Sequence, residues 1–537
     1  MSSLDNRQAT PRSLLLWTLP ILAIGLLTQW IQPFRPGFDD AYAIEAAWRF
    51  ANGGFMGHSW HDQLADLSQP TLTWLGVDWP PGFALLLAVQ LKLGWSIATS
   101  VHVIQLAFAV IGIFGWLKVA DRALAQPAMV LFAGWVLVVF FANEASVTNL
   151  LFWSIVPWVM LHLLRIDADQ HWQPALWCGL LAAACLTFRY SSLYLVPACL
   201  TWLVLQQSLT WRQRIVSGLC IALPGALVLA SLFALNQTLG GAPAFTEHYE
   251  KGMYFGAILE DAAPIKAMFA NGFGLELILG RLLTRMSETV NYVLATSLFG
   301  LMTVGAVYTS RRAPNDATVS VQNKIVIITL CLFTWLLAML GTLTIRHGSM
   351  DGWTFLGHER YYSDLLPAIA LCWLFALQPL LRPLRWWKAV IIGIACLAAI
   401  AFMTVRHVGG GQRLVATITG QPSHYDIDTV GARINQLVQA SDAAMAIVLF
   451  DPDTARYPQW GRYVQVRDWP TPEQLKTIDT SQAVRVVAVA PAAEQLSPSR
   501  QATIARFGLE PVFSGERGTS DVVVYSATVH PGQLDSE

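Results

Sequence analysis

Long apolar segments separated by short polar connections recur along about the first 406 residues of the chain. A helix crosses about 30 Å of hydrocarbon with about 17–25 such residues. The pattern predicts about 11 membrane-spanning helices, some of them short, at 14–31, 98–117, 127–142, 146–164, 174–188, 191–207, 215–235, 290–308, 325–345, 361–381 and 387–405.

Two stretches depart from this regular pattern. The segment 80–94 begins with Pro80-Pro81 and is too short to cross, which predicts an interfacial or re-entrant helix. The apolar stretch 174–207 is interrupted at Phe188-Arg189-Tyr190-Ser191, which predicts two short helices that meet at a polar turn.

The tail of the chain, about 407–537, has a different pattern. Apolar strand-like runs at 444–450, 484–490 and 522–526 alternate with helical patterns at 429–440 and 498–507. The sequence therefore predicts an α-helical polytopic membrane domain over 1–406 and a small soluble α/β domain over 407–537.

Composition supports a membrane protein and excludes a nucleic-acid binder. Charged residues make up 13% of the chain and mean hydropathy is +0.46, whereas soluble domains carry roughly 25% charged residues. A net charge of −1 provides no basic surface for nucleic acid. The seven cysteines all lie in apolar segments, which indicates small buried side chains, not disulfides or a metal cluster.

Lysine and arginine in the connections predict the orientation of the chain. If the N-terminus is cytoplasmic and 14–31 is a retained first span, the cytoplasmic loops carry more of these cations than the outside loops do. This arrangement places the loops 32–97, 236–289 and 346–360, together with the tail, on the extracytoplasmic side. We therefore expect a multi-pass protein of the inner (cell) membrane.

An acidic pair, Asp39-Asp40, follows the first predicted span directly. Carboxylates at a membrane are costly and often functional, so the pair is a candidate catalytic site. The structural alternative is that one of them caps a helix over 41–52. Further along the same loop, His58, His61 and Asp62 could ligate a divalent metal or could only be solvated or hydrogen-bonded.

Three further charged positions lie at span ends on the same predicted side. Glu144 stands alone between two spans, where it either faces a water-filled cleft or pairs with a cation. Arg189 needs an anion, either Glu144 or Asp39 of the protein or a lipid phosphate. Arg360 suits bidentate phosphate binding, and the adjacent Tyr361 could assist or belong to the interfacial aromatic belt.

A carboxylate base and cations for a lipid phosphate are what sugar transfer from a polyprenyl phosphate requires. The prenyl chain would lie in the bilayer, which accounts for the extent of the membrane domain. The alternative function is a transporter or flippase of a lipid-linked saccharide, which would use the same cations without a catalytic base.

The chain resembles the GT-C superfamily of integral-membrane glycosyltransferases, particularly the bacterial protein mannosyltransferase and aminoarabinose-transferase branch. The resemblance rests on motifs at 38–42, 78–82, 144, 187–193 and 360–367. It implies that Asp39, in preference to Asp40, is the base and that Arg189 and Arg360 bind the donor phosphate. It also implies a polyprenyl-phosphate sugar donor and inversion at the anomeric carbon, and it leaves the sugar, the acceptor and a metal requirement open.

Overall fold

The computed structural model describes two compact units, each considered by itself. The first contains residues 78–82, 101–124, 147–241, 249–253, 317–347, 353–355 and 363–381, with a few single positions between them. The second contains 38–58, 73–77, 83–100 and the tail from 429 to 533, apart from short gaps in the tail.

Helices dominate both the first unit and the opening part of the second. They are α1 (Phe38–Ala51), α2 (Leu75–Asp78), α3 (Gly82–Lys92), α4 (Ile97–Ala123), α5 (Val147–Leu163), α6 (Trp172–Leu186), α7 (Leu195–Leu205), α8 (Trp211–Gly240), α9 (Ala317–Thr342), α10 (Leu366–Leu381), α11 (Thr429–Gln439), α12 (Pro472–Leu475) and α13 (Pro498–Phe507). Short 3-10 helices lie at Tyr190–Tyr194 and Ser363–Leu365.

The described strands have two to five residues before the tail and four to ten residues within it. They are β1 (Gly57–His58), β2 (Thr73–Trp74), β3 (Tyr249–Met253), β4 (Leu343–His347), β5 (Trp353–Phe355), β6 (Met445–Leu449), β7 (Tyr463–Val466), β8 (Val484–Pro491), β9 (Glu510–Arg517) and β10 (Ser520–Val529).

Within the described part of the chain, three helices are long and apolar enough to cross a membrane, at Thr99–Ala123, Trp211–Gly240 and Ser320–Met339. They lie on the predicted spans 98–117, 215–235 and 325–345. Shorter apolar helices occupy four other predicted positions: 146–164, 174–188, 191–207 and 361–381. The predicted spans 14–31 and 387–405 lie outside the described residues, as do nearly all of 127–142 and 290–308.

The apolar segment after the Pro-Pro turn forms α3, which is 11 residues long. Leu85, Leu86 and Val89 are exposed on it although they are aliphatic. A helix of this length covers about 16 Å, roughly half of the hydrocarbon thickness. The length of α3 thus agrees with the predicted interfacial or re-entrant helix.

Helices α4 and α5 meet at a proline. Pro157 lies inside α5 and has no N–H for the carbonyl of Trp153, four residues earlier. The indole Nε1 of Trp116 in α4 donates to that carbonyl oxygen at 2.8 Å. The neighbouring Gly115 leaves room for the proline ring, because a Cβ at residue 115 would stand 2.8 Å from Pro157 Cγ.

A three-stranded antiparallel sheet joins two segments that are distant in sequence. The strand order is β3-β4-β5, with Lys251 opposite Ile345 and Thr354 opposite Ile345 on the other side. The sheet therefore connects the loop that follows α8 to the chain that follows α9.

The tail contains a five-stranded mixed sheet in the order β7-β6-β8-β10-β9. Strand β6 runs parallel to β7 and β8, whereas β10 is antiparallel to β8 and β9. Apolar side chains cover both faces, with Phe507 of α13 in one cluster and Ile434 of α11 in the other. The division of the chain at 406/407 and the side of the membrane on which the tail lies remain predictions.

Candidate functional site

Arg189 lies in a turn between two helices, as the interruption of the apolar pattern predicted. Helix α6 ends at Leu186, and the Arg189 backbone is extended (φ −158°, ψ 125°) before the 3-10 helix. The Arg189 N–H donates to the carbonyl of Cys185 at 3.0 Å, and its own carbonyl accepts from the backbone N–H and the hydroxyl of Ser192. The turn is therefore fixed on both sides of Arg189 by local hydrogen bonds.

The Arg189 guanidinium is buried, with 8% of the residue exposed. Its Nη1 donates to Asn149 Oδ1 at 2.9 Å and lies 3.4 Å from Asp364 Oδ1. The guanidinium carbon is also 5.8 Å from the centre of the Phe152 ring, a cation–π distance. The protein thus supplies an anion for Arg189, which is the structural alternative that the sequence left open.

Among the residues that the structure describes, that anion is Asp364, which the sequence did not suggest as a partner. Glu144 and the side chain of Asp39 lie outside the described residues, as do Arg360 and Tyr361. Asp364 is fully buried at 0% exposure and belongs to the 3-10 turn that leads into α10. Its signal in the sequence is a lone carboxylate directly before the apolar segment 365–381, because a charge in such a position requires a counterion.

A second predicted motif reaches the same turn. The Gly82 N–H donates to the carbonyl oxygen of Thr187 at 2.7 Å. A Cβ at residue 82 would overlap that oxygen, so only glycine permits this approach of the two backbones. Pro80 and Pro81, which precede Gly82, are buried. The Pro-Pro-Gly motif and the Arg189 turn are therefore in direct backbone contact.

Helix α8 contacts the turn through a polar pair. Asn236, which is fully buried, donates from Nδ2 to the hydroxyl oxygen of Tyr190 at 2.7 Å.

Tyr194 at the end of the 3-10 helix is stacked on Phe152, with ring centres 6.4 Å apart. Phe152 also faces Arg189, so this ring packs against both ends of the 3-10 helix.

In the second unit the acidic pair lies inside α1, not ahead of it. The helix begins at Phe38, so Asp39 and Asp40 are in its first turn. Carboxylates at this end of a helix generally interact favourably with the helix dipole. The sequence predicted a helix over 41–52 with this pair as a possible cap. The helix begins about three residues earlier, so this predicted start is wrong. Asp40 is 3% exposed and shares a buried face with Ala43 and Ile44.

Two further polar residues of this segment, Glu45 and His58, are also buried. Glu45 forms an ion pair with Arg49 at 2.8 Å, one helical turn later. His58 is 1% exposed, and its ring packs edge-to-face on Tyr42 with centres 5.0 Å apart. His61 and Asp62 lie outside the described residues. Among the residues that the structure describes, no group of three His, Cys, Asp or Glu side chains could hold a metal ion, and a metal at His58 stays a prediction.

Comparison with known proteins gives matches to solved structures alone. No family model and no curated protein matches the sequence. The crystal structure of ArnT from Cupriavidus metallidurans in the apo state superposes with a TM-score of 0.52 at 13% sequence identity. The match covers 96% of this chain and 98% of ArnT. The chain has a GT-C fold.

A cryo-EM structure of the arabinofuranosyltransferase AftD from Mycobacteria also matches this chain. The TM-score is 0.43 at 15% identity, and the match covers 96% of this chain and 40% of AftD. The superposition with ArnT confirms the resemblance to GT-C enzymes at the level of the fold. With its apolar helices, the chain is an integral membrane protein.

Proposed function

We propose that this protein is a glycosyltransferase that moves a sugar from a polyprenyl-phosphate donor to an acceptor hydroxyl at the extracytoplasmic face of the membrane. The observation that carries the proposal is the superposition with ArnT along nearly the whole length of both chains. Because a fold alone does not determine chemistry, the proposal also rests on the acidic pair and the arginine motifs in the order typical of these enzymes.

The catalytic base in this proposal is Asp39. Its carboxylate takes the proton of the acceptor hydroxyl while that oxygen forms a bond to the anomeric carbon. The bond between the anomeric carbon and the phosphate oxygen breaks, and polyprenyl phosphate leaves with the bonding electrons. Attack opposite to the leaving group inverts the anomeric centre.

The leaving phosphate is assigned to Arg360 and Tyr361, with Arg189 as the second cation that the motifs imply. Guanidinium groups stabilise the charge that develops on the phosphate as the bond breaks. Arg189 contributes less to this than its charge suggests, because Asp364 lies 3.4 Å from it. Glu144 is assigned to the cleft as a second acidic residue. The sugar transferred is a hexose or a pentose.

The proposal is tested by sugar transfer with the purified full-length protein in lipid nanodiscs. The donor is a polyprenyl-phosphate sugar pool extracted from the source cells, and the acceptor is a membrane extract from the same cells. Wild type is compared with Asp39→Asn and Asp40→Asn. Asp167→Asn is the matched control, because Asp167 is an exposed loop residue that accepts backbone hydrogen bonds, which asparagine also accepts.

We expect Asp39→Asn to reduce transfer about 10²–10⁴-fold, the contribution of a general base, with its elution from a sizing column unchanged. Asp167→Asn should be as active as wild type. If only Asp40→Asn is inactive, the base is Asp40 and the proposed reaction stands. If wild type binds the donor lipid and transfers nothing, the proposed reaction is wrong and the transporter or flippase alternative replaces it.

A further inference from the structure

The ends of α4 and α5 that lie away from the Arg189 turn carry a cluster of positive charges. Lys118 and Arg122 lie in the last two turns of α4, and Arg165 follows closely after the last residue of α5. All three residues are exposed. From Asn149, which contacts Arg189 near the start of α5, the chain rises about 24 Å to Arg165 at 1.5 Å per residue. This cation cluster (Lys118, Arg122 and Arg165) is therefore distinct from the site around Arg189.

Two aromatic rings support Lys118. Its Nζ lies 4.5 Å from the centre of the Phe114 ring and 5.3 Å from the centre of the Trp158 ring, both cation–π distances. Trp158 belongs to α5 and donates from Nε1 to the carbonyl oxygen of Ile111 in α4 at 3.3 Å. A Cβ at residue 115 would stand 2.9 Å from that nitrogen, so Gly115 leaves room for the indole. The two helices thus hold Lys118 between them.

The charges of the cluster act on one another. Arg122 and Arg165 interact electrostatically with each other, and both act on His162 of α5. Like charges that are close together raise the free energy of the protein, and an anion bound beside them lowers it. Asp121 offsets part of the charge of Arg122. Among the carboxylates that the structure describes, none is within ion-pair distance of the three cations.

The first acidic residue after the cluster is used by a local turn. Asp167 Oδ1 accepts the backbone N–H groups of Asp169 and Gln170 at 3.0 and 2.7 Å. Turns of this kind are a common use of an aspartate side chain. The cation cluster therefore keeps an excess of positive charge, which an anionic ligand would neutralise.

Exposed apolar side chains lie next to the cluster and further from the helix ends. The His162 ring is stacked on Trp177 of α6, with ring centres 6.1 Å apart and planes inclined by 19°. Trp177 is 55% exposed, and Leu180, one turn further into α6, is 43% exposed. Ile111, whose carbonyl accepts from Trp158, is also exposed. A charged surface and an apolar surface thus meet here, as the headgroup and the acyl chains do in a phospholipid.

We propose that Lys118, Arg122 and Arg165 bind the headgroup of an anionic phospholipid at this end of α4 and α5. The two guanidinium groups suit bidentate contacts with phosphate oxygens, and the ammonium group of Lys118 adds a charge on the side of the apolar surface. Basic surfaces between membrane helices are typical sites for such headgroups. The inference uses neither the donor nor the acceptor of the proposed reaction.

The alternative is that these cations only orient the chain in the membrane. Cytoplasmic loops carry an excess of lysine and arginine for that reason alone. Orientation depends on the number of cations on one side, whereas a headgroup site depends on particular side chains. Arg212 distinguishes the two interpretations, because it is an exposed arginine at the start of α8, on the same predicted side and outside the cluster.

Lipid binding by the purified full-length protein in a neutral detergent tests the site. The probe is phosphatidylglycerol, and native mass spectrometry gives the fraction of protein that carries the lipid along a titration. Phosphatidylcholine is the comparison lipid, because a cationic group balances its phosphate. Inorganic phosphate, followed by the shift in unfolding temperature, tests whether the anion alone is enough. The variants are Arg122→Gln, Arg165→Gln and Arg122→Lys, with Arg212→Gln as the matched control.

We expect Arg122→Gln and Arg165→Gln each to weaken binding of phosphatidylglycerol about tenfold, the effect of one lost charge-assisted hydrogen bond. Arg122→Lys should weaken it less, because the charge is kept and only the bidentate geometry is lost. Arg212→Gln should bind as wild type does, and phosphatidylcholine should bind more weakly than phosphatidylglycerol. Equal losses in all three glutamine variants, or equal affinity for the two lipids, would overturn the site. A shift with inorganic phosphate as large as that with the lipid would overturn the assignment to a lipid.

Unfolding temperatures separate a binding site from a structural role of the two arginines. Without lipid, Arg122→Gln and Arg165→Gln should unfold at or above the wild-type temperature, because the repulsion between the two charges is removed. Phosphatidylglycerol should raise the unfolding temperature of wild type more than that of either variant. Lower unfolding temperatures of both variants without lipid, together with an unchanged shift on adding it, would show that the arginines are structural and would overturn the site.

Discussion

The backbone N–H of Gly82 donates to the carbonyl oxygen of Thr187, with 2.7 Å between nitrogen and oxygen. This bond brings the residue after Pro80-Pro81 to Thr187, 105 positions later, in the turn that carries Arg189. The two motifs are distant along the chain, and their contact explains why one of them contains a glycine at this position. The position of Arg189 therefore depends on a residue that has no side chain.

Gly82→Ala is expected to destabilise the protein by about 1–3 kcal/mol, the usual cost of overpacking, because its Cβ would overlap the Thr187 oxygen. Transfer activity should decrease as the turn shifts. Thermal unfolding in detergent and a transfer assay measure the two effects.

Gly218→Ala in α8 is the matched control for this substitution. A Cβ there meets Leu200 and Leu203 at 3.6 and 3.8 Å, an ordinary contact. Alanine at such a helical position should be neutral or stabilising by roughly 0.5–1 kcal/mol. Equal unfolding temperatures for the two variants would contradict the close approach at Gly82.

The indole of Trp116 is expected to be coupled energetically to Pro157. Trp116→Phe should cost about 1 kcal/mol through the lost hydrogen bond to the Trp153 carbonyl. In the Pro157→Ala background the same change should cost less, because alanine supplies the helical N–H that proline lacks. Denaturant unfolding of wild type, the two single variants and the double variant gives the coupling free energy directly. An equal loss of stability from Trp116→Phe in both backgrounds would contradict the coupling.

The start of α8 should depend on its capping box. The Thr210 side chain accepts the N–H of Gln213, and the Gln213 side chain accepts the N–H of Thr210. Thr210→Ala is expected to cost about 1 kcal/mol of stability. Thr210→Ser keeps the oxygen and should have less than half of this effect. Thermal unfolding of both variants checks the prediction, which is wrong if serine and alanine are equivalent.

The tail is expected on the extracytoplasmic side. A single engineered cysteine at Ser423→Cys should react with a membrane-impermeant thiol reagent in intact cells, since the native cysteines lie in apolar segments. The control is an engineered cysteine at Asp167→Cys, in a connection predicted to be cytoplasmic, which should react only after the cells are opened. If the cysteine at residue 167 reacts in intact cells and the cysteine at residue 423 reacts only after the cells are opened, the predicted orientation is wrong.

The helices of the membrane domain follow from sequence because span length and apolar composition are local properties. The Arg189 turn follows for the same reason, since an interruption of an apolar run is visible in the run itself. The Arg189–Asp364 contact does not follow from the sequence. Tertiary packing between residues 175 positions apart determines which of several carboxylates pairs with Arg189.

Strand β3 shows a second limit of the pattern. Its sequence, Tyr-Glu-Lys-Gly-Met, lacks the alternation that signals a strand, and its pairing with β4 is made by backbone groups. The start of α1 shows a third. Aspartates suit the cap and the first turn of a helix alike, so the acidic pair alone does not fix where the helix begins.

The pairing of β3 with β4 constrains how the chain is threaded through the bilayer. Strands that share backbone hydrogen bonds occupy one compartment, so the path from Met253 to Leu343 contains an even number of crossings. Helix α9 has the length and composition for one of them. The span predicted at 290–308, which lies almost wholly outside the described residues, is expected to be the other. Any topology with a single crossing in this interval is incompatible with the sheet.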